Sequence, residues 1–235
     1  MLKLIEKNYF KINLAFILIV AVYCMCGLIV PLQFISANKV VAGGMTLLGI
    51  LLATYNLVIK KVYLKIKTIE YLLLFFAFNI ITSILVISYG YSTNIKNTLV
   101  FFIYFLTVFP IFTGITREEG KKIYDYFFYT VTVLNTFGVL VSLIQFVLLK
   151  GYRVHDYKGL YIRQGFVESR LFGILASPNF LSLVSLIVII FLITKIGSFI
   201  KVYKNISILA IVLNFIYIVL SGSRTAFICM IIAVV

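Results

Sequence analysis

The sequence predicts an all-α, polytopic transmembrane helical bundle, and three observations carry that prediction. Apolar residues make up 63% of the chain, and the mean hydropathy is +1.15, far above the usual mixture of soluble domains. The charged residues fall between the apolar runs instead of within them. Each run approaches the roughly 20 residues that a helix needs to cross the hydrocarbon core, and helix is the default because a span must pair its backbone polar groups internally.

Taken in order, seven spans are predicted at about 12–35, 40–59, 71–89, 98–115, 126–149, 175–194 and 206–220. An eighth begins near Thr225 and is still apolar at Val235. The expectation is therefore one integral membrane domain, 1–235, forming the N-terminal part of a longer protein. Lys3, Lys7 and Lys11 precede the first span as in a signal peptide. That span outruns a cleavable apolar core and lacks a small-residue cleavage site, so it is expected to remain as a helix. Pro31 and Pro110 fall near span ends, where a kink or frayed turn accommodates them.

Orientation follows from the basic residues. The N-terminus and the connections after spans two, four and six hold 3, 4, 3 and 3 Lys or Arg, whereas those after spans one, three and seven hold one each (Lys39, Lys96 and Arg224). The positive-inside rule then makes the N-terminus cytoplasmic. So distributed, the net charge of +14 follows membrane topology and gives no footprint for nucleic acid. The connection after span five breaks the alternation. It is expected outside, yet holds Lys150, Arg153, Lys158, Arg163 and Arg170. Two readings stay open. Long connections translocate largely regardless of charge, leaving their basic residues to water or lipid phosphates. Alternatively, they hold an anionic substrate at the outer face, with Tyr152, Tyr157 and Tyr161 stacking on sugar rings or joining the interfacial aromatic belt.

With the N-terminus inside, spans six and eight both begin at the outer face, and both begin with helix-entry chemistry. "ASPNF" sets Ser177 before Pro178 and Asn179, a cap residue followed by the residue best tolerated at the first helical position. "SGSRTAF" offers Ser221 or Ser223 as the cap, with Gly222 free to turn amides outward. Unpaired amides and positive dipole ends, with Arg170 and Arg224 nearby, suit a phosphate or pyrophosphate. Taken alone, Arg224 fits equally well an arginine snorkelling to the headgroups at a hairpin.

"ESRLFGILASPNFLSL", Glu168 to Leu183, resembles the Arg, Gly, Pro-Asn pattern of the O-antigen ligase and polysaccharide polymerase superfamily. "LSGSRTAF", Leu220 to Phe227, is similar to the Ser-Arg-containing motif that follows one span later in that family. The likeness covers about residues 165–235; the first five spans resemble the family only as hydrophobic helices. It implies metal-independent transfer of a glycan from an undecaprenyl-pyrophosphate carrier to an acceptor hydroxyl on a glycan or lipid, at the outer face of a bacterial plasma membrane. It further implies that Arg170 and Arg224 bind the pyrophosphate; the helix-start reading adds Ser221, Ser223 and Asn179 to the pyrophosphate site, with Arg163 and Glu168 as accessory candidates. No cofactor is implied. Family members continue with an external loop that supplies a histidine or other basic group for acceptor activation, and this sequence does not include it.

Other chemistry finds little in the sequence. His155 lies in the wrong connection for that acceptor role, and Glu168 is expected to pair with Arg170 instead of acting as a general base. Cys24, Cys26 and Cys229 sit in apolar spans without metal-ligand spacing. A rival class is transport, as a flippase of lipid-linked glycan or an ion-coupled carrier. Proton coupling is disfavoured because all seven acids lie outside the predicted spans or at their ends. A non-catalytic membrane subunit is the third possibility, since the acceptor-activating loop is missing.

Overall fold

The computed structural model describes residues 8–61, 69–85, 95–96, 98–103, 105, 116–155, 161–175 and 177–234. The chain divides into two compact units, Met1–Ile17 with Lys39–Tyr124, and Leu18–Asn38 with Asp125–Val235. Among the described residues five helices are long and apolar enough to cross a membrane: Tyr9–Leu28, Lys39–Lys60, Arg117–Val147, Pro178–Ser198 and Lys201–Ser221. This is a multi-pass helical membrane protein by length and composition. Leu73–Leu85 and Arg224–Ala233 are shorter apolar helices, while most of the predicted fourth span, with Pro110, lies outside the described residues.

The first predicted span divides. Helix α1, Tyr9–Leu28, ends well before residue 35, and a 3-10 turn at Val30–Leu32 and a short helix α2, Gln33–Ala37, follow. Pro31 is the local cause, because it lacks an N–H and its ring clashes with the preceding turn. The backbone released by the break finds partners in the same unit: Val30 N–H donates to the Ile174 carbonyl at 3.0 Å, and Ile29 bridges Leu175. Helix α3, Lys39–Thr54, matches the second span and runs into a π-helical turn, Tyr55–Lys60, that stops at left-handed Lys61. There the Tyr9 hydroxyl donates to buried Asn56 at 2.6 Å. In the same unit helix α4 spans Ile69–Leu85, and its Phe76 ring meets Phe102 edge-on.

Helix α5, Arg117–Val147, starts nine residues before the predicted fifth span. Its entry is a capping box: Thr116 N–H donates to the Glu119 carboxylate at 3.1 Å, and Glu119 N–H donates to the Thr116 hydroxyl at 3.3 Å. T-x-x-E is the sequence signature of such a start.

The described residues are mostly helical, as the all-α expectation has it, and the local exception follows α5. The predicted loop contains strands β1, Gly151–His155, β2, Tyr161–Val167, and β3, Arg170–Gly173, in an antiparallel sheet of order β1-β2-β3. Its central stretch, "YIRQGFV", is rich in β-branched and aromatic residues, which fit a pleated, half-buried surface. Glu168 and Ser169 turn β2 into β3, both with positive φ, 52° and 59°. That is the twist of a type I′ turn, made here without glycine.

Helices α6, Pro178–Lys195, α7, Lys201–Ser221, and α8, Arg224–Val234, complete this unit. Leu171 and Leu175 around β3 bury against Val139, Leu181 and Tyr217, so the sheet is seated on the helices. The seat is tight at Gly173, whose φ is +68° and where an added Cβ would stand 2.0 Å from the Ser142 hydroxyl. Deeper in the unit, the Asn135 amide donates to Asn214 at 2.7 Å and to Ser185 at 3.1 Å, a buried polar junction of α5, α6 and α7.

Candidate functional site

Helix α7 ends at Ser221 because the next residue takes a conformation that few residues but glycine adopt readily. Gly222 has φ +64°, and its N–H donates to the Val219 carbonyl at 3.2 Å, closing the last turn. One residue later Ser223 caps the new helix by position, its carbonyl accepting from Phe227 N–H at 3.0 Å. The chain thus reverses from α7 into α8 in two residues, and Arg224 becomes the first residue of α8.

Arg170, at the start of β3, reaches this reversal from the sheet. Its Nε donates to the Ser221 carbonyl at 2.9 Å, and its Nη2 to the Asn179 side-chain oxygen at 3.1 Å. An added Cβ on Gly222 would stand 3.2 Å from Arg170 Nε. Position 222 is therefore restricted twice, by its φ and by the guanidinium lying against it. One arginine joins the sheet, the entry of α6 and the exit of α7. In doing so it satisfies a carbonyl that the end of α7 leaves without a helical partner.

Arg170, Asn179, Leu183, Gly222, Ser223, Arg224 and Thr225 line an open cleft of about 510 Å³. Among the described residues neither arginine meets a carboxylate. Positive charge is thus left uncompensated beside the N-termini of α6 and α8, an arrangement that favours an anion. Among these residues no group of His, Cys, Asp and Glu is assembled to hold a metal ion.

Arg170, Arg224, Asn179 and Ser223, residues singled out from sequence, all come to this cleft. Ser221 does not. Its hydroxyl is fully buried, 2.7 Å from Ser182 Oγ, donates to the Ile218 carbonyl and accepts from Ser223 N–H. It fastens α7 to α6 beneath the cleft, and only its carbonyl meets Arg170. Ser177 occupies the cap position of α6 with extended backbone, but its side chain makes no capping hydrogen bond.

The expected pairing of Glu168 with Arg170 is also corrected. Glu168 forms an ion pair with Arg163, and neither lines the cleft. The two-residue turn leaves Glu168 beside β2, while Arg170 extends to the helices. Leu183 and Thr225 were not anticipated, although Leu183 lies four residues after Asn179 and so on the same face of α6.

The chain matches no protein-family model, no curated protein and no solved structure.

Proposed function

We propose that the cleft binds the pyrophosphate of a lipid-linked glycan, and that the protein is a membrane polymerase or ligase of cell-surface polysaccharide. In this reading it transfers the glycan from an undecaprenyl-pyrophosphate carrier to an acceptor hydroxyl at the outer face of a bacterial plasma membrane. The observation that supports it is the meeting of Arg170 and Arg224, 54 positions apart in the chain, in one cleft without a carboxylate to neutralise them. The sequence likeness around Glu168–Leu183 and Leu220–Phe227 supplies the choice of anion.

The two arginines have different tasks. Arg170 has two of its five N–H groups engaged by Ser221 and Asn179, which hold its plane fixed and leave three for a ligand. Arg224 is exposed and lines the cleft from the other side, supplying the adaptable second contact. As the glycosidic bond to the carrier breaks, negative charge grows on the departing pyrophosphate. The fixed Arg170 guanidinium stabilises that charge more than it stabilises the bound ground state. The new glycosidic bond forms as the carrier leaves as its pyrophosphate, and the acceptor hydroxyl's proton passes to water in the open cleft.

The test is glycan transfer from a lipid-pyrophosphate donor by Arg224→Lys and Arg170→Lys variants at matched membrane abundance. A snorkelling arginine needs only its charge, so lysine replaces it with little loss; a bidentate phosphate ligand does not tolerate the exchange. The expected loss is about 2 to 4 kcal/mol of transition-state stabilisation, roughly 30-fold to 1,000-fold in rate. Near-normal transfer by both variants defeats the reading.

The same reading carries the topology of seven spans and the start of an eighth, with a cytoplasmic N-terminus. Single cysteines at Lys61 and Tyr161, in a background lacking the native ones, measure it: an impermeant maleimide on intact cells labels position 161 and spares 61. The reverse pattern inverts the topology.

A further inference from the structure

Charge is also left over on the outward face of the β1–β2 hairpin. Side chains alternate between the two faces of paired strands. The register sets Tyr152, Val154, Ile162 and Gln164 on one face, and Arg153, His155, Tyr161 and Arg163 on the other. The first face is anchored to its unit: buried Gln164 donates to the Ile174 carbonyl at 3.0 Å, and Tyr152 accepts from Gln145 at 2.9 Å.

On the second face, Arg153 lies directly opposite Arg163. Like charges in that position destabilise a strand pair unless an anion lies between them. Glu168 answers Arg163 alone, and among the described residues no carboxylate meets Arg153. The next pair along is aromatic. The His155 and Tyr161 rings stand 4.0 Å apart, and Tyr161 is 73% exposed, so one ring is steadied while its free side faces outward. The base of the hairpin is closely packed, since a Cβ at Gly151 or Gly165 would come within 2.2 or 2.0 Å of a backbone carbonyl.

We propose that this face docks an acidic oligosaccharide, with a sugar ring against Tyr161 and a carboxylate or phosphate substituent between Arg153 and Arg163. Guanidinium groups bind such oxygens in pairs, and the C–H bonds of a sugar ring suit a flat aromatic surface. Among the described residues, Arg153, His155, Tyr161 and Arg163 give this face no aliphatic, Phe or Trp side chain to insert into a bilayer, which surface-bound membrane elements need. That favours a saccharide over a lipid headgroup. The inference rests on the glycan-transfer reading above and gives it a substrate class, a glycan that carries negative charge.

The experiment titrates the native chain, in nanodiscs of phosphatidylcholine, with an oligogalacturonate and with a neutral galactose oligomer of equal length, read by microscale thermophoresis. The acidic oligomer is expected to bind roughly tenfold or more tightly than the neutral one. Arg153→Gln should weaken it by roughly tenfold, about one charge-assisted contact, and Tyr161→Ala by roughly as much through loss of the ring against the sugar, with circular dichroism unchanged. Equal affinity for the two oligomers, or unchanged affinity in both variants, overturns the proposal.

A second series adds phosphatidylglycerol. If that lipid abolishes saccharide binding and Arg153→Gln sheds retained phosphatidylglycerol, the face is a headgroup site and the proposal falls. Binding is read without transfer, so the two readings fail separately. Normal transfer by both Arg224→Lys and Arg170→Lys defeats the cleft, and unchanged binding by the hairpin variants defeats this face.

Discussion

The cleft at Arg170 and the junction at Asn135 use similar polar side chains within one unit and treat them in opposite ways. At the junction, Asn135, Ser185 and Asn214 are fully buried, the Asn135 amide donating to both of the others and the Asn214 amide reaching Thr136 at 3.1 Å. Hydrogen-bonding capacity there is directed inward, holding three apolar helices against each other where lipid offers no partner. At the cleft, Asn179 and Arg224 are exposed, and the charge of both arginines meets no acid among the described residues. Buried polar groups that bond across helices fasten; exposed ones beside helix starts are free to receive. A polar residue in a membrane helix therefore indicates a site only when its unengaged part faces open space.

Gly222→Ala should break the cleft side most severely. Left-handed backbone costs an alanine about 1 to 2 kcal/mol, and the new methyl presses on Arg170 Nε, 3.2 Å away. Thermal unfolding in detergent should shift down by that amount, and transfer should fall further than stability because Arg170 loses its position. Retention of full transfer in a destabilised variant would detach Arg170 from the chemistry.

A crossed pair of substitutions sharpens the contrast. Asn135→Leu removes two donors of the junction and should lower stability by about 1 kcal/mol, the usual scale for hydrogen bonds between membrane helices, while transfer per folded molecule stays near normal. Asn179→Leu should do the reverse, leaving unfolding unchanged and lowering product, because its partner is Arg170 in the open cleft. Equal behaviour of the two variants in both assays would erase the distinction.

The smallest effect is expected at the β2–β3 turn. Ser169→Gly removes left-handed strain at φ 59° and should stabilise by about 0.5 to 1 kcal/mol. Transfer should not change, since Ser169 lines no part of the cleft. Altered transfer would mean that the turn moves Arg170.

Much of this was legible in the sequence. The apolar runs located the five long apolar helices seen among the described residues, Pro31 marked a break, and Pro178 marked the entry of α6. The T-x-x-E of Thr116–Glu119 also announced the start of α5, although the acids and lysines that follow made that stretch read as a connection. The sheet was harder to read. Its strands alternate well enough, but an amphipathic stretch of five to seven residues between membrane spans reads equally as a loop until a partner strand and a packed face are present.

What the sequence by itself determined is local: where helices run, which residues can begin or end them, and which carry charge. Those properties depend on neighbours within a few turns of chain, through hydrophobic run length, backbone sterics and capping. Only the tertiary structure decided that Arg170 crosses to Ser221 and Asn179, that Glu168 turns to Arg163, and that Ser221 is locked against Ser182. Each of these choices depends on which of several acceptors comes within about 3 Å, a distance set by how separate segments pack. Sequence spacing does not encode that distance, so two arginines 54 positions apart read as unrelated until β3 and the α7–α8 reversal bring them to one cleft.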